Sequence, residues 1–480
     1  MSILFWNGIP TTTQVVVVAR STTNGDCYLT INGVDGTAVA ADTAVLDGHV
    51  RLEFDGLSPD TKCTYTLTTP DGTATGQTRT FPASGSPRIV NYSCEPSVDL
   101  AGAREIARLD PHVVISTGDE SYAEDVYFNT VTQAIDVEQH YAYARYRRSG
   151  NVKGDCILHR FPFGAVVDDH DFFYNDGVDN LATLQAYAVS NRDASYATMT
   201  QGQFDTAVAN AMLATQAISL GNPVNTDPDA ETDAFYFRFE CGDVEVFVLS
   251  QVVSSPSRFR PLFGTGVDVS LCGDDQIAWL KAQLTASTKA HKLILSPKSI
   301  LQASSGNPDT WYKYNDLYPL LTWVHANVTG VMWMGGDFHS AGLFCSEAGI
   351  AAGNQGSAQG LIAWNGNTNL VNGHDFDCVS IVNSSVGRYG PATNSGVSSL
   401  RADVRDADAA SVGNNDVTRY SCNKWNGRHG VPHYLGFGLA DIDGTALRGQ
   451  FINLSGNTLF SARVEAGSNK LSFKDIAISV

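Results

Sequence analysis

The 480-residue chain is short of positive charge: 31 Lys and Arg face 50 Asp and Glu, a formal net charge of −19. Holding a phosphate backbone requires basic clusters, so this balance argues against a sequence-specific nucleic-acid groove. The one basic stretch, Arg145, Arg147 and Arg148 in "YARYRRSG", is isolated. The excess acid favours a soluble surface and attracts cations. No apolar run reaches the length of a membrane span. The first residues, "MSILFWNGIPTTT", lack the basic start and apolar core of a signal peptide. Nine cysteines are scattered without a C-x-x-C pair. An odd number in so long a chain does not imply a disulfide framework, though it leaves room for one or two bridges. Long internal repeats and low-complexity tracts are missing as well.

What is present is a globular composition, 43% hydrophobic and 17% charged, long enough for two or three packed units. Up to about residue 85 the chain alternates in short β-rich runs, "TQVVVVARS", "DCYLTING", "HVRLEFDGL", "CTYTLTTPDG" and "GQTRTFPASG". Asn-Gly, Asp-Gly and Ser-Pro turns separate them, which predicts a β-sandwich. "LSPDTKCTYTLT" followed by "RTFPASGSP" resembles the end of a fibronectin type III module. Nothing there carries chemistry, so its role reads as spacer or cover.

From residue 88 the period changes. "PRIVNYSC" predicts a strand, "DLAGAREIARLD" a helix capped by Asp99, and "PHVVISTGD" a second strand. "FPFGAVVDDHD" is a further strand ending in acids, and residues 178–220 read as helical. "AFYFRFECGDVEVFVLSQ" predicts a hairpin turning at Gly242-Asp243. Helix "DDQIAWLKAQLTAS", strand "HKLILSP", helix "DLYPLLTWVHAN" and strand "GVMWMGG" continue a β/α run, and the tail from "GFGLADIDG" returns to β structure.

Four of these strands end in metal-binding residue types. "RIVNYSC" ends at Cys94. "VVISTGDESY" ends at Asp119, with Tyr122 three residues on. "GAVVDDHDFFYND" ends at Asp168, Asp169 and His170, with Asn175 beyond. "VMWMGGDFH" ends at Asp337 and His339, after two glycines that permit a tight turn and close approach. In open α/β sheets the carboxyl ends of strands gather along one edge, where ligands bind, so the four clusters are expected to converge. Carboxylates, imidazole and amide oxygen suit divalent cations; phenolate and thiolate suit a more oxidising ion such as ferric iron. Two adjacent metals sharing a carboxylate, for which Asp119 is the choice, would clamp a phosphoryl group and activate a water. Taken singly, Cys94 reads as a structural thiol and Tyr122 as a packing aromatic; their neighbours give them weight. His140, His159, His291 and His325 occur alone and read as ordinary surface or core residues, whereas His429 and His433 in "NGRHGVPH" sit in a Gly-rich loop that suits a site rim.

In order and spacing, "SC", "GDESY", "DDHD" and "GGDFHSA" resemble the PhoD-type alkaline phosphatases of the calcineurin-like metallophosphoesterase superfamily, and the G-D-x-x-Y form also resembles purple acid phosphatases, whose Tyr binds ferric iron. The resemblance implies an α/β metallophosphoesterase fold, a mixed β-sandwich flanked by helices, over residues 87–480. A fibronectin III/Ig-like β-sandwich precedes it over residues 1–86. It further implies ferric iron on Cys94, Asp119, Tyr122 and Asp337, and calcium on Asp119, Asn175, His339 and one of Asp168 or Asp169. A zinc, manganese or magnesium pair is the alternative. His170, beside Asp169, takes the catalytic position that stabilises charge on the transferring group. Substrate contacts fall to residue 95, Lys298 and Arg388.

Departures from the family pattern bear on substrate. Glu95 stands where an Arg often follows the Cys, "FVLSQVV" has Ser250 and Gln251 in place of an Asp-Thr-Arg triplet, and Asp171 ends the D-D-H-E motif. Losing Arg removes bidentate clamps for a phosphate dianion, which favours diesters. The expected function is hydrolysis of phosphate esters, small-molecule or phospholipid-type, by attack of a metal-bound hydroxide. The alternative is a surface or virion-associated structural protein retaining the scaffold. The family implies a secreted or periplasmic compartment.

Overall fold

The structure, a computed structural model, describes residues 3–93, 100–118, 154–166, 168, 181–182, 185–186, 199–224, 235–250, 270–298, 316–336, 341–346, 380–382, 401–403, 417–422, 436–453, 456–467 and 471–472. Strands β1 (Leu4–Asn7), β2 (Val15–Arg20), β3 (Gly25–Ile31), β4 (Val34–Asp35), β5 (Val39–Ala41), β6 (His49–Phe54), β7 (Lys62–Thr69) and β8 (Gly72–Arg79) form two antiparallel sheets. One runs β1-β2-β6; the other runs β4-β3-β7-β8, with β5 on β3. Their inner faces share a core of Phe5, Val15, Val17, Cys27, Leu29, Leu52, Tyr65 and Leu67. The run "VVVV" in β2 is buried throughout rather than alternately. Its odd positions face the sandwich core, while Val18 packs with Trp6 in the core of the larger unit. A strand covered on both faces needs no polar alternation.

The larger unit begins with β9 (Ile89–Tyr92), α1 (Leu100–Leu109), β10 (Val113–Ser116) and β11 (Phe163–Ala165), followed by α2 (Gln201–Ser219). Thr200 and Gln203 close a reciprocal capping box at the start of α2. The hairpin β12 (Phe237–Cys241) and β13 (Val244–Val248) turns at Gly242-Asp243 as the sequence predicts. After it come α3 (Asp274–Ala286), β14 (His291–Ser296), α4 (Leu317–Asn327) and β15 (Val331–Gly335). Strands β16 (Ala341–Ser346), β17 (Ser380–Val382), β18 (Arg401–Asp403) and β19 (Val417–Cys422) precede a meander of β20 (Gly436–Asp443), β21 (Ala446–Asn453), β22 (Thr458–Glu465) and β23 (Leu471–Ser472).

These strands make two mixed sheets, ordered β11-β10-β9-β20-β21-β22-β23 and β12-β13-β14-β15-β17-β16-β19-β18. Parallel pairing joins β9, β10 and β11 in the first sheet and β13, β14, β15 and β17 in the second. The sheets face each other across one apolar core, with Ile89, Val113 and Ile115 from one side meeting Val246, Leu293, Leu295, Met332 and Met334 from the other. The outer face of the first sheet, through Val90, Tyr92, Val114 and Phe163, is covered by Ala103 and Ile106 of α1 and Ala217 and Ile218 of α2. The expectation of one sheet edge is therefore corrected: β9, β10 and β11 lie in one sheet and β15 in the other, because pairing follows long-range contacts that the local pattern does not encode. Asp99, the expected cap of α1, falls outside the described residues. The described cysteine side chains Cys27, Cys63, Cys156 and Cys241 are free thiols. No helix among the described residues is long and apolar enough to cross a membrane.

Candidate functional site

The strands that carry the motifs run parallel within each sheet, and their carboxyl ends finish in hydrogen bonds that hold them in step. Thr117 N donates to Tyr92 O at 2.9 Å and Val166 N to Ser116 O at 3.1 Å. In the opposite sheet Leu249 N donates to Leu295 O at 2.8 Å and Gly336 N to Ser296 O at 3.2 Å. The buried Asn91 side chain adds donations to Ile115 O and Thr117 Oγ1, both 3.3 Å. Six strand ends, β9, β10, β11, β13, β14 and β15, are thereby fixed relative to their neighbours.

The first residues beyond those ends touch one another. A Cβ on Gly336 would lie 2.7 Å from Ser93 Cβ and Oγ and 2.8 Å from Pro297 O. Only glycine leaves room there, so the contact fits the close approach read from "MGGD". Gly118, at φ +108, would bring a Cβ within 2.5 Å of Asp168 Cβ. Asp168 in turn lies 3.7 Å, carboxylate to ammonium, from Lys298. Its side chain is 1% exposed and that of Lys298 is fully buried. Contacts thus run from Ser93 through Gly336 to Pro297, and from Lys298 through Asp168 to Gly118, across both sheets.

Of the residues expected at the site, the structure places Asp168 and Lys298 and brings them together. Cys94, Glu95, Asp119, Tyr122, Asp169, His170, Asn175, Asp337, His339 and Arg388 lie outside the described residues, as do His429 and His433. Among the described residues no group of three or more His, Cys, Asp or Glu is arranged to hold a metal ion. Ser250, which stands at the place expected for the first residue of an Asp-Thr-Arg triplet, is buried, and Gln276 of α3 holds its backbone in both directions: Ser250 N donates to Gln276 Oε1 at 2.9 Å and Gln276 Nε2 to Ser250 O at 2.7 Å. Sequence reasoning did not single out Gln276, because an exposed-looking polar position in an amphipathic helix gives no sign of that partner. Of the single histidines, His159 stacks on Phe5 at 4.0 Å and His291 is buried at the start of β14; His140 and the side chain of His325 lie outside the described residues.

A second polar cluster sits where the N-terminal sandwich meets the larger unit. Lys62 Nζ reaches both Asp110 oxygens, at 2.7 and 2.8 Å, and Arg88 reaches one at 3.3 Å. Burial pushes the Asp110 carboxyl up, but the Lys62 hydrogen bonds and the Arg79 and Arg88 charges outweigh it and hold it below its usual range. A cleft of about 190 Å³ lined by Lys62, Arg79, Asp110 and Arg160 opens beside it. Asp110 occupies the Lys62 ammonium there, and the Arg79 guanidinium is bound to backbone carbonyls of residues 110 and 111, which makes this a structural junction.

The PhoD-like phosphatase family model matches residues 91–420, a span that opens in β9 and closes in β19. A solved PhoD structure shares 16% identity at a TM-score of 0.65, over 98% of this chain and 91% of that one. A purple acid phosphatase isolated from yellow lupin (Lupinus luteus) seeds shares 13% identity at a TM-score of 0.53, over 99% of this chain and 77% of that one. At these identities the two likenesses speak to the fold, which is metallophosphoesterase-like. No curated protein matches the chain.

Proposed function

Because the chain belongs to the PhoD-like phosphatase family, a group of phosphoric ester hydrolases, we propose that it is a metal-dependent phosphohydrolase working at the carboxyl ends of β9, β10, β11 and β15. The observation that carries this reading is a pair of close approaches at the strand ends, Ser93 against Gly336 and Gly118 against Asp168. The residues that follow Ser93, Gly118 and Gly336 in the chain are the expected ligands Cys94, Asp119 and Asp337. A Cβ would fill the space that both glycines leave, and the expected ligands would offer thiolate, phenolate, carboxylates, amide and imidazole. That set fits a pair of cations of mixed hardness.

Ferric iron would be held by Cys94, Asp119, Tyr122 and Asp337, and calcium by Asp119, Asn175, His339 and one of Asp168 or Asp169. When bound, such a pair neutralises phosphoryl oxygens and lowers the pKa of the attacking water. The protein's own contribution is orientation and charge. His170 stabilises the developing charge on the transferring group. Glu95 leaves the phosphate-binding side short of cations, which favours singly charged diesters over monoester dianions. The substrates are small phosphate esters. The N-terminal unit reads as a fibronectin III-like cover over residues 1–86, supported by the division of its strands into β1-β2-β6 and β4-β3-β7-β8.

Elemental analysis and a visible spectrum of the purified chain, beside an assay on a monoester and a diester, test this. The chain is expected to contain iron, to be tinted by charge transfer from Tyr122 and Cys94, and to hydrolyse the diester faster. Tyr122→Phe should shift or bleach the band. Asp119→Asn, which removes the shared carboxylate, should lose metal and turnover together. Full metal and full turnover in Asp119→Asn would sink the constellation.

A further inference from the structure

The hairpin of β7 and β8 pairs Lys62 with Arg79 and Thr64 with Gln77. Two cations therefore stand directly opposite each other, an arrangement that weakens a sheet unless something offsets it. Asp110, just past α1, is the carboxylate that reaches both, Lys62 at 2.7 Å and Arg79 at 3.8 Å. It is also the one acid in the wall of the 190 Å³ cleft, where Lys62, Arg79 and Arg160 supply three cations. Two positive charges are left over there, in a chain of net charge −19. Beyond the wall, Asp60 at 3.7 Å from Arg79 is matched by Arg88 at 3.3 Å from Asp110. Burial pushes the Cys63 thiol, also in the wall, up to about 11, so it adds no negative charge.

The fold does not use these cations up. The Arg79 side chain is 8% exposed, and its buried Nε has no hydrogen-bond partner in the chain, although a guanidinium carries five donors. Arg160, exposed after the helical turn Gly154–Leu158, meets no acid among the described residues; its guanidinium stands 5.5 Å from the centre of the Phe161 ring. The cleft volume is far above the ~10–15 Å³ that one water needs, so a tetrahedral oxyanion fits with its waters. Two spare charges match a dianion better than a singly charged carboxylate, and guanidinium groups bind phosphate oxygens in pairs. Asp110 and Arg160 precede β10 and β11, whose carboxyl ends lead to the candidate site. The cleft thus lies at the opposite ends of these strands.

We infer that this cleft is an anion site that holds a phosphate dianion between Arg160 of the larger unit and Lys62 and Arg79 of the N-terminal sheets. The inference does not depend on the hydrolytic reading. Because both units build the wall, the anion ties them together and stabilises the folded chain.

Equilibrium dialysis of the full-length chain against radiolabelled inorganic phosphate tests this in wild type, Arg160→Gln and Lys281→Gln, with ester hydrolysis and the thermal midpoint measured alongside. Lys281→Gln removes the same charge from α3, where the ammonium stands over Trp323 and outside the cleft wall. Arg160→Gln is expected to weaken one binding event about 10- to 100-fold and to leave hydrolysis unchanged. It should also lose most of the rise in midpoint that phosphate gives the wild type. Lys281→Gln should match the wild type in all three. Displacement of the Arg160-dependent phosphate by glycerol 3-phosphate would assign the site to ester phosphates, and binding without displacement to the free ion; either upholds the inference. Wild-type phosphate binding in Arg160→Gln, an equal loss in Lys281→Gln, or no binding to the wild type would overturn it. A wild type that binds phosphate through Arg160 yet hydrolyses no ester would defeat the phosphohydrolase reading and leave the cleft site standing.

Discussion

Burial and the neighbouring Arg79 guanidinium push the His112 imidazole down from 6.5 to about 4, against a smaller opposing pull from Asp60. Its Nδ1 accepts the Arg88 backbone N–H at 2.9 Å, which places the ring proton on Nε2, 3.6 Å from Asp60. The sign follows from the folded value lying below the unfolded one. As pH falls through 6.5 the unfolded chain takes up a proton that the folded chain refuses until about pH 4, so stability is lost across that window. A shift of this size is worth on the order of 3 kcal/mol by pH 4. Asp110 adds to the loss at lower pH, since its carboxyl is held below its usual range in the fold. His112→Asn keeps an acceptor for Arg88 and removes the titration. In urea unfolding at pH 7, 6, 5 and 4, the wild-type curve should therefore fall more steeply than the variant's between pH 6.5 and 4. Parallel curves would mean that the site is solvated and the argument from burial wrong.

At the scale of the element, what matters is how β15 ends. Alanine at 336 would press a methyl group against Ser93 and the Pro297 carbonyl, and backbone on the neighbouring strand cannot rotate aside. Overpacking of this kind costs about 1–3 kcal/mol. Gly336→Ala should lower the thermal midpoint and the metal content together, because relief requires β15 or β9 to shift. Gly202→Ala in α2, with nothing within 4 Å of the added methyl, is the control and should stabilise by about 0.5–1 kcal/mol. A Gly336→Ala protein with the wild-type midpoint and metal content would show that the strand ends have room. The sequence made β15 readable, since an apolar run stopped by two glycines has few other meanings, and the same holds for β9, β10 and β14. It did not show β1, whose "LFWN" is too short to display a period, nor β16–β19, whose runs are broken by polar residues. It could not reveal that β15 belongs to the opposite sheet, or that Lys298 would reach Asp168, because both depend on pairings between segments far apart in the chain. The candidate site residues were named for a different reason, residue type and spacing at strand ends, and of them the described residues include Asp168 and Lys298.

Across the whole molecule, the N-terminal sheets and the larger unit share buried surface and main-chain hydrogen bonds. Asn7, fully buried, donates to Gln77 O at 2.7 Å and to Phe161 O at 3.2 Å and accepts from Tyr65 Oη at 2.8 Å. Arg51 donates to the carbonyls of Leu220 and Asn222 at 2.6 and 2.7 Å. Ile9 N donates to Gly221 O at 2.6 Å, and Gln77 N to His159 O at 2.7 Å. Trp6 and Val18 belong to the same apolar cluster as Ile106, Phe163 and Ile218. Pulling the units apart would therefore expose the outer core of the sheet that ends at the candidate site, along with several unpaired carbonyls. Inter-domain contacts are often loose and polar, which lets domains move independently; here the apolar cluster and the buried Asn7 oppose that. The chain should unfold in one calorimetric transition, with the calorimetric and van't Hoff enthalpies agreeing. Asn7→Ala strands buried polar partners at a cost of about 1–3 kcal/mol, so it should move that single transition as a whole, although Asn7 lies in β1 and not in the phosphatase unit. Two separate transitions, with only the first shifted by Asn7→Ala, would make the sandwich an independent module and leave the sheet beneath it to hold the site unaided.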